Sequence, residues 1–499
     1  MQPGLVLWAV TALGTAIRFR GLTSGGLRTS DAWVALTPKV GMGEAWHMFA
    51  NAPGFYFLAR EWLQLYPGAT WWGQLPVLVM GVASIPAIYA LFRYLKFDPW
   101  VQLLAAFVVA ISPICIIFST RYKEYSADFL VACLLIAAAE EIRRHWRPRD
   151  IRNLAVLTVV GFVLSGSTVP VILAAWLAVG VHGWRTHYPW RSLLKSALPA
   201  VTICLLFDRL FYGHLSPYLN QSWSNNFFSD ASPFAFIDSV GRLTVSLYQG
   251  MTGSVLNGAI VSVLLTGLAI LGLRRGAVML SSVLVVGAAL VACTLRIIPL
   301  GTGRTDEVLY PALLLLIGSG LQNAARSFTS SVSATQWHRR CVAGIGLISM
   351  SVLLLGGLAT SNHYDNTDVR PLAAQVAQQL HPGDHIVVDA MLRYPWALYE
   401  DQSPHIVLGQ NWMTGFTVTS TQPNTFLVPS FDIEGEWRPH TWTQQLARYR
   451  RLWILEPAYS THPSLRPPKH SFYGELYAGG WRPTRDIVGT GVVAILLQR

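Results

Sequence analysis

Long apolar runs separated by short charged loops fill the chain up to about residue 360, and beyond it the spacing changes. A membrane-crossing helix needs about 20 apolar residues. The runs 4–19, 72–93, 100–118, 125–141, 153–165, 168–184, 194–212, 254–273, 277–297, 306–323 and 341–360 approach that length and predict about eleven spans. Ser165-Gly166-Ser167 reads as the tight tip of a helical hairpin. After residue 361, "DVRPLAAQVAQQLHPGDHIVVDA" reads as an amphipathic helix, a Pro-Gly-Asp turn and a buried strand. "HIVLG", "RRLWILE" and "GVVAILLQ" read as further strands, with helical stretches such as "WTQQLARYRR" between them. The pattern predicts a polytopic α-helical membrane domain over 1–360, including an external loop at 20–71, and an extracytoplasmic α/β domain over 361–499.

Composition agrees with the spans. Of 499 residues, 52% are hydrophobic and 13% charged, and mean hydropathy is +0.39. A soluble chain carries roughly a quarter charged residues. The 19 Trp and 18 Tyr suit a chain with many bilayer interfaces. A net charge of +11 raises the question of nucleic acid, but no basic tail or nucleic-acid module is present. Membrane lipid head groups and positive-inside loops account for it. Cys115, Cys133, Cys204, Cys293 and Cys341 lie in or at the end of apolar runs, with no CxxC or Cys/His pairing. Neither disulfides nor a zinc site are expected. The run Leu5–Ile17 lacks a basic flank and a cleavage site, so it reads as a retained helix.

Orientation follows from Lys and Arg placement. The loops near 142–152, 183–195, 274–275 and 324–340 are short and basic, which puts them in the cytoplasm and the C-terminus outside. Loop 20–71 then lies outside despite Arg20, Arg28, Lys39 and Arg60. A loop of that length escapes the charge rule, and its cations would attract an anionic lipid.

Charge also gathers where it is least expected. "STRYKEYSADFL" at 119–130 sits between two apolar runs and holds Arg121, Lys123, Glu124 and Asp128. With the predicted orientation, Asp31 in "RTSDAWVAL" and Arg304 in "GTGRTDE" fall on the same outer side. Ionisable groups so placed mark functional paths. The order of the pieces is informative. "AIRFRGLTSGGLRTSDAWVAL", "NAPGFYFLAREWLQLYPG", "QLPVLVMGVASIPAIYALFRYL" and "AISPICIIFSTRYKEYSADFL" follow one another, and "PLGTGRTDEVLYP" comes at 299–311. This resembles the GT-C glycosyltransferases of the protein O-mannosyltransferase and aminoarabinose-transferase type. The resemblance covers about the first 130 residues and the 299–311 stretch.

It implies transfer of a sugar from a polyprenyl-phosphate donor to an extracytoplasmic glycan, lipid or protein, with inversion at the anomeric carbon. It also implies Asp31 as the base that takes the acceptor proton. Two departures stand out. The family's acidic pair is Asp31-Ala32 here, and its His-Pro motif is Asn51-Ala52. No cofactor and no metal ligand are assigned, and a divalent metal stays an open alternative. Asp31 also suits a helix N-cap. Arg121, Lys123, Tyr125 and Arg304 are the candidates for the donor phosphate, where fixed cations stabilise the charge on the leaving group. Glu44, His47, Asn51 and Asp128 are candidate cavity residues. The simpler readings are snorkelling cations at 121 and 123 and a surface role for Glu44 and His47. Tyr125 also suits an interfacial anchor, and Asp128 suits a structural pairing, with Lys123 as its expected partner. The expected location is a bacterial plasma (inner) membrane. The rival class is a transporter or flippase of lipid-linked sugars, which predicts repeats and mid-membrane charges that the sequence does not display.

The Lys/Arg asymmetry generates a topology test. A reporter at Arg499 and one in 42–50 should read the outer side, and one near Arg147 the cytoplasm. A cytoplasmic signal from Arg499 would reverse the assignment of every site above.

Overall fold

The computed structural model describes residues 2–22, 26–27, 29–43, 52–66, 70–188, 190–212, 223–253, 258–274, 279–331, 368–401, 404–408, 416–428, 444–458 and 476–499. Two compact units are present. One comprises Met1–Gly21, Gln74–Gly213 and Trp223–Tyr364; the other comprises Leu22–Gly73, His214–Ser222 and Asp365–Arg499. The stretch 22–73, grouped above with the membrane domain, therefore packs with the C-terminal residues.

In chain order the first helices are α1 (Pro3–Leu22), α2 (Thr29–Ala35), α3 (Pro53–Leu65) and α4 (Thr70–Tyr94). Then come α5 (Pro99–Ile111), α6 (Pro113–Phe118), α7 (Tyr125–His145), α8 (Pro148–Leu164) and α9 (Val169–Arg185). α10 (Trp190–Phe207), α11 (Pro233–Thr252), α12 (Gly258–Gly272), α13 (Leu280–Thr294) and α14 (Tyr310–Ser331) follow. Proline opens α3, α5, α6, α8 and α11, where its missing N–H costs nothing.

Four helical stretches among the described residues are long and apolar enough to cross a membrane: Pro3–Leu22, Thr70–Tyr94, Gly166–Arg185 and Thr305–Ser327. The expected eleven is thereby corrected. Pro99–Ile111, Gly258–Gly272 and Leu280–Thr294 are apolar but shorter. Run 100–118 is one stretch in sequence but two helices in space, because Ser112-Pro113 cannot continue a helix. The run 341–360 lies outside the described residues. The hairpin tip at 165–167 is present as Ser165 followed by the 3-10 turn Gly166–Thr168. The protein is a polytopic α-helical membrane protein with a β-rich C-terminal domain.

Small residues let the helices approach. α12 packs on α14, and a Cβ at Gly320 would stand 1.9 Å from the Leu268 carbonyl oxygen. Ser319 Oγ and Asn323 Nδ2 donate to the carbonyls of Gly272 and Leu271, each at 3.1 Å. Close backbone approach with such bonds is how helices associate where water exclusion gives no drive.

The second unit holds α15 (Val369–Ala377), β1 (His385–Val388), α16 (Arg393–Tyr399), β2 (His405–Leu408), β3 (Phe416–Thr419) and β4 (Thr425–Leu427). β5 (Arg451–Pro457), β6 (Arg482–Val488) and β7 (Val492–Gln498) complete it. The main sheet runs β4-β1-β5-β7-β6, and β2 pairs with β3 apart from it. β1 lies parallel to β4 and β5, and β7 antiparallel to β5 and β6. Val387, Leu452, Ile454, Trp481 and Leu497 build the core. The Pro-Gly-Asp turn is held by Asp384, which accepts from His381 N (2.9 Å) and pairs with Arg451 (2.8 Å). Strands β3, β4 and β6 and helix α16 were not foreseen; in "WTQQLARYRR" the described part holds only a short helical turn at 444–446. α2 packs on both α3 and α16 in this unit.

Candidate functional site

The segment 119–124 joins α6 to α7, and its irregular path has specific causes. Arg18 of α1 is wholly buried. Its Nε donates to Ser119 Oγ (2.9 Å), Nη1 to the carbonyls of Ala110 (2.7 Å) and Gly14 (3.0 Å), and Nη2 to that of Val109 (2.9 Å). Ser119 Oγ in turn donates to the Cys115 carbonyl. Gln74 of α4 donates to the Thr120 carbonyl (2.7 Å). A turn follows, closed by Lys123 N on the Arg121 carbonyl (2.8 Å).

The turn sorts its side chains. Tyr122, Lys123 and Glu124 are buried, while Arg121 and Tyr125 are half-buried. Burial alone holds the Tyr122 hydroxyl well above the usual tyrosine range, so it stays neutral. Tyr125 packs edge-on to Phe118 (4.7 Å) and has Glu124, Arg304, Asp128 and Arg121 as its charged neighbours. Arg121 and Arg304, far apart in the sequence, thus both act electrostatically on Tyr125. Asp128, fully buried in the first turn of α7, accepts from the Ser167 hydroxyl at the hairpin tip.

Arg304 sits on a loop built for it. Asp306, buried, accepts from Gly301 N (3.0 Å) and Gly303 N (2.7 Å). Both glycines have positive φ, +68° and +66°, which side chains with a Cβ rarely adopt. Thr302 Oγ1 accepts from Arg304 N (2.9 Å) and Thr305 N (3.1 Å). The loop leaves Arg304 exposed, its guanidinium 5.4 Å from the Trp223 ring centroid.

Asp31 belongs to the second unit. It occupies the first turn of α2, two residues past its start, and is 3% exposed. There it complements the helix dipole instead of capping from outside. Glu44, His47 and Asn51 lie outside the described residues. Among the described residues no three His, Cys, Asp or Glu side chains group as metal ligands.

No protein-family model matches the sequence, and neither does any curated protein. Solved structures do match. ArnT from Cupriavidus metallidurans in the apo state is 15% identical with a TM-score of 0.55, covering 98% of this chain and 97% of its own. The same protein bound to undecaprenyl phosphate is 15% identical with a TM-score of 0.53, over 99% and 98%. The Archaeoglobus fulgidus oligosaccharyltransferase, in complex with Zn and sulfate, is 10% identical with a TM-score of 0.50, over 98% and 72%. The chain shares its fold with these proteins.

Sequence reasoning missed the anchors of this turn, Arg18 and Gln74, and the loop role of Asp306. One signal was present for Arg18, since an arginine inside an apolar run demands a buried partner. Arg18→Met should strand carbonyls at about 1–3 kcal/mol each and lower the unfolding temperature in detergent. Arg18→Lys should recover only part, because a single ammonium cannot copy the planar fork. An unchanged unfolding temperature in Arg18→Met would contradict the anchor.

Proposed function

We propose that this protein is a GT-C-type glycosyltransferase that moves a sugar from a polyprenyl-phosphate donor to an extracytoplasmic acceptor. The observation that supports the reading is that Arg121 and Arg304 both act electrostatically on Tyr125, beside the turn that also bears Lys123. Cations set at a buried turn suit a phosphate leaving group. One solved structure of this fold holds undecaprenyl phosphate.

In the proposed step Asp31 accepts the proton of the acceptor hydroxyl or amine as that atom bonds to the anomeric carbon. The bond from that carbon to the phosphate oxygen breaks on the opposite side, and its electron pair leaves on the phosphate. Configuration inverts. Arg121, Lys123 and Arg304 stabilise the charge as it grows, and Tyr125 donates a hydrogen bond to it. The sugar, and whether the acceptor is a glycan, lipid or protein, are left open. The C-terminal α/β residues lie on the extracytoplasmic face of a bacterial inner membrane.

Substitutions at Asp31 and Lys123, with one control, test this on a panel of polyprenyl-phosphate sugars. Asp31→Asn keeps size and should lower turnover about 10²- to 10⁴-fold with donor binding intact; Glu44→Gln, at the next acid in the sequence, should be mild. Wild-type turnover in Asp31→Asn would remove the base. Lys123→Ala should weaken binding of undecaprenyl phosphate, and Lys123→Arg should restore charge without geometry. Binding equal to wild type in Lys123→Ala would remove that residue from the donor site.

A further inference from the structure

The segment that bears Asp31 is clasped from the α/β residues of its own unit. α2 leads through a single turn residue, Leu36, into the 3-10 turn Thr37–Lys39. Leu36 N donates to the Ala32 carbonyl (3.0 Å), Thr37 Oγ1 to that of Val34 (2.8 Å), and Lys39 N to that of Leu36 (2.9 Å). The end of this rod is held twice. Arg60 of α3, buried, donates Nε to the Thr37 carbonyl and Nη2 to that of Val40, each at 3.1 Å.

Lys39 makes the second grip. Its Nζ donates to the carbonyls of Leu398 (2.5 Å), Asp401 (2.7 Å) and Ala397 (3.3 Å), at the C-terminal end of α16. The last carbonyls of a helix lack internal partners and carry the negative end of its dipole, so an ammonium fits them. Two further contacts tie α16 to α2 and to the residues just before it. Trp33 stands edge-on to Tyr394 (6.1 Å, 87°), and the Tyr399 hydroxyl accepts from Leu27 N (2.9 Å). α16 is itself fixed. Tyr394 donates to the Phe416 carbonyl of β3 (3.0 Å), and the Asp401 carboxylate accepts from Thr421 N (2.9 Å) and Thr421 Oγ1 (2.7 Å).

We infer that α16 is a positioning element for Asp31 and that Lys39 is its clasp. The α/β residues thus contribute to transfer by fixing the pitch of α2. The inference rests on Asp31 being the base. Its scale follows from geometry, since misplacing a catalytic group by about 1 Å can cost about 100-fold in rate.

The test compares Lys39→Met and Lys39→Arg in the full chain, by hydrogen exchange and by turnover on the same panel of polyprenyl-phosphate sugars. Lys39→Met should raise exchange over 29–36 about tenfold, the loss of a charge-assisted bond, and leave β1, β5 and β7 unchanged. It should lower kcat about 10- to 100-fold with KM for the donor unchanged, and add nothing in an Asp31→Asn background. Lys39→Arg should restore both readouts. If Lys39→Met fails to fold, Tyr399→Phe, which frees the chain just before α2 from α16, should show the same split at smaller amplitude. Unchanged exchange over 29–36, or loosened exchange with full kcat, overturns the inference. Wild-type turnover in Asp31→Asn alone is a separate failure. It removes the base and the catalytic half of this inference, while exchange still decides the clasp.

Discussion

A guanidinium among apolar helices must find all its hydrogen bonds there, and the candidate donor site depends on how Arg18 does so. Its acceptors exist because the run 100–118 breaks at Ser112-Pro113. A helix end leaves its last carbonyls unpartnered, and the Val109 and Ala110 carbonyls belong to the last turn of α5. The break supplies what the arginine needs, and the arginine caps what the break exposes. Through Ser119 the same side chain fixes where the 119–124 segment begins. It is also a charged neighbour of the buried Glu307.

Burial then separates the charges by task. Arg18, Asp128 and Asp306 are fully enclosed, and each has hydrogen-bond partners within the protein. Such groups are framework, because a desolvated charge is tolerated only when its partners are fixed. Asp306 organises a loop by taking two glycine amides, and what the loop presents outward is Arg304. Arg121 and Arg304 keep accessible surface.

The second unit follows the same logic with a lysine. Leu22–Gly73 reads in the sequence as a loop between spans, yet α2 is folded onto α3 and α16. Ala32, Val34 and Leu36 are fully buried in it. The cations Lys39 and Arg60, which look misplaced for an outer loop, cap carbonyls in this packing. Burial lowers the pKa of Lys39, and the Asp401 carboxyl opposes the shift. Its charge therefore has a local structural use besides any attraction for anionic lipid.

The sequence by itself determined the membrane class, the positions of most helices, the hairpin tip at 165–167 and the strands "HIVV", "HIVL", "RLWILEP" and "VVAILLQ". Those depend on periodicity, run length and turn residues, which are local. It also marked 119–128 and 301–306 as unusual, since charge beside apolar runs is visible without a fold. Tertiary structure alone decided the rest. That Arg304 stands by Trp223, that Arg18 anchors Ser119, and that Lys39 reaches α16 are pairings between residues far apart in the chain. Short strands such as β4 and the seven-residue helix α16 carry too few residues for a period to register. Their conformation comes from the neighbours they pack against, and those neighbours are named only once the chain has folded.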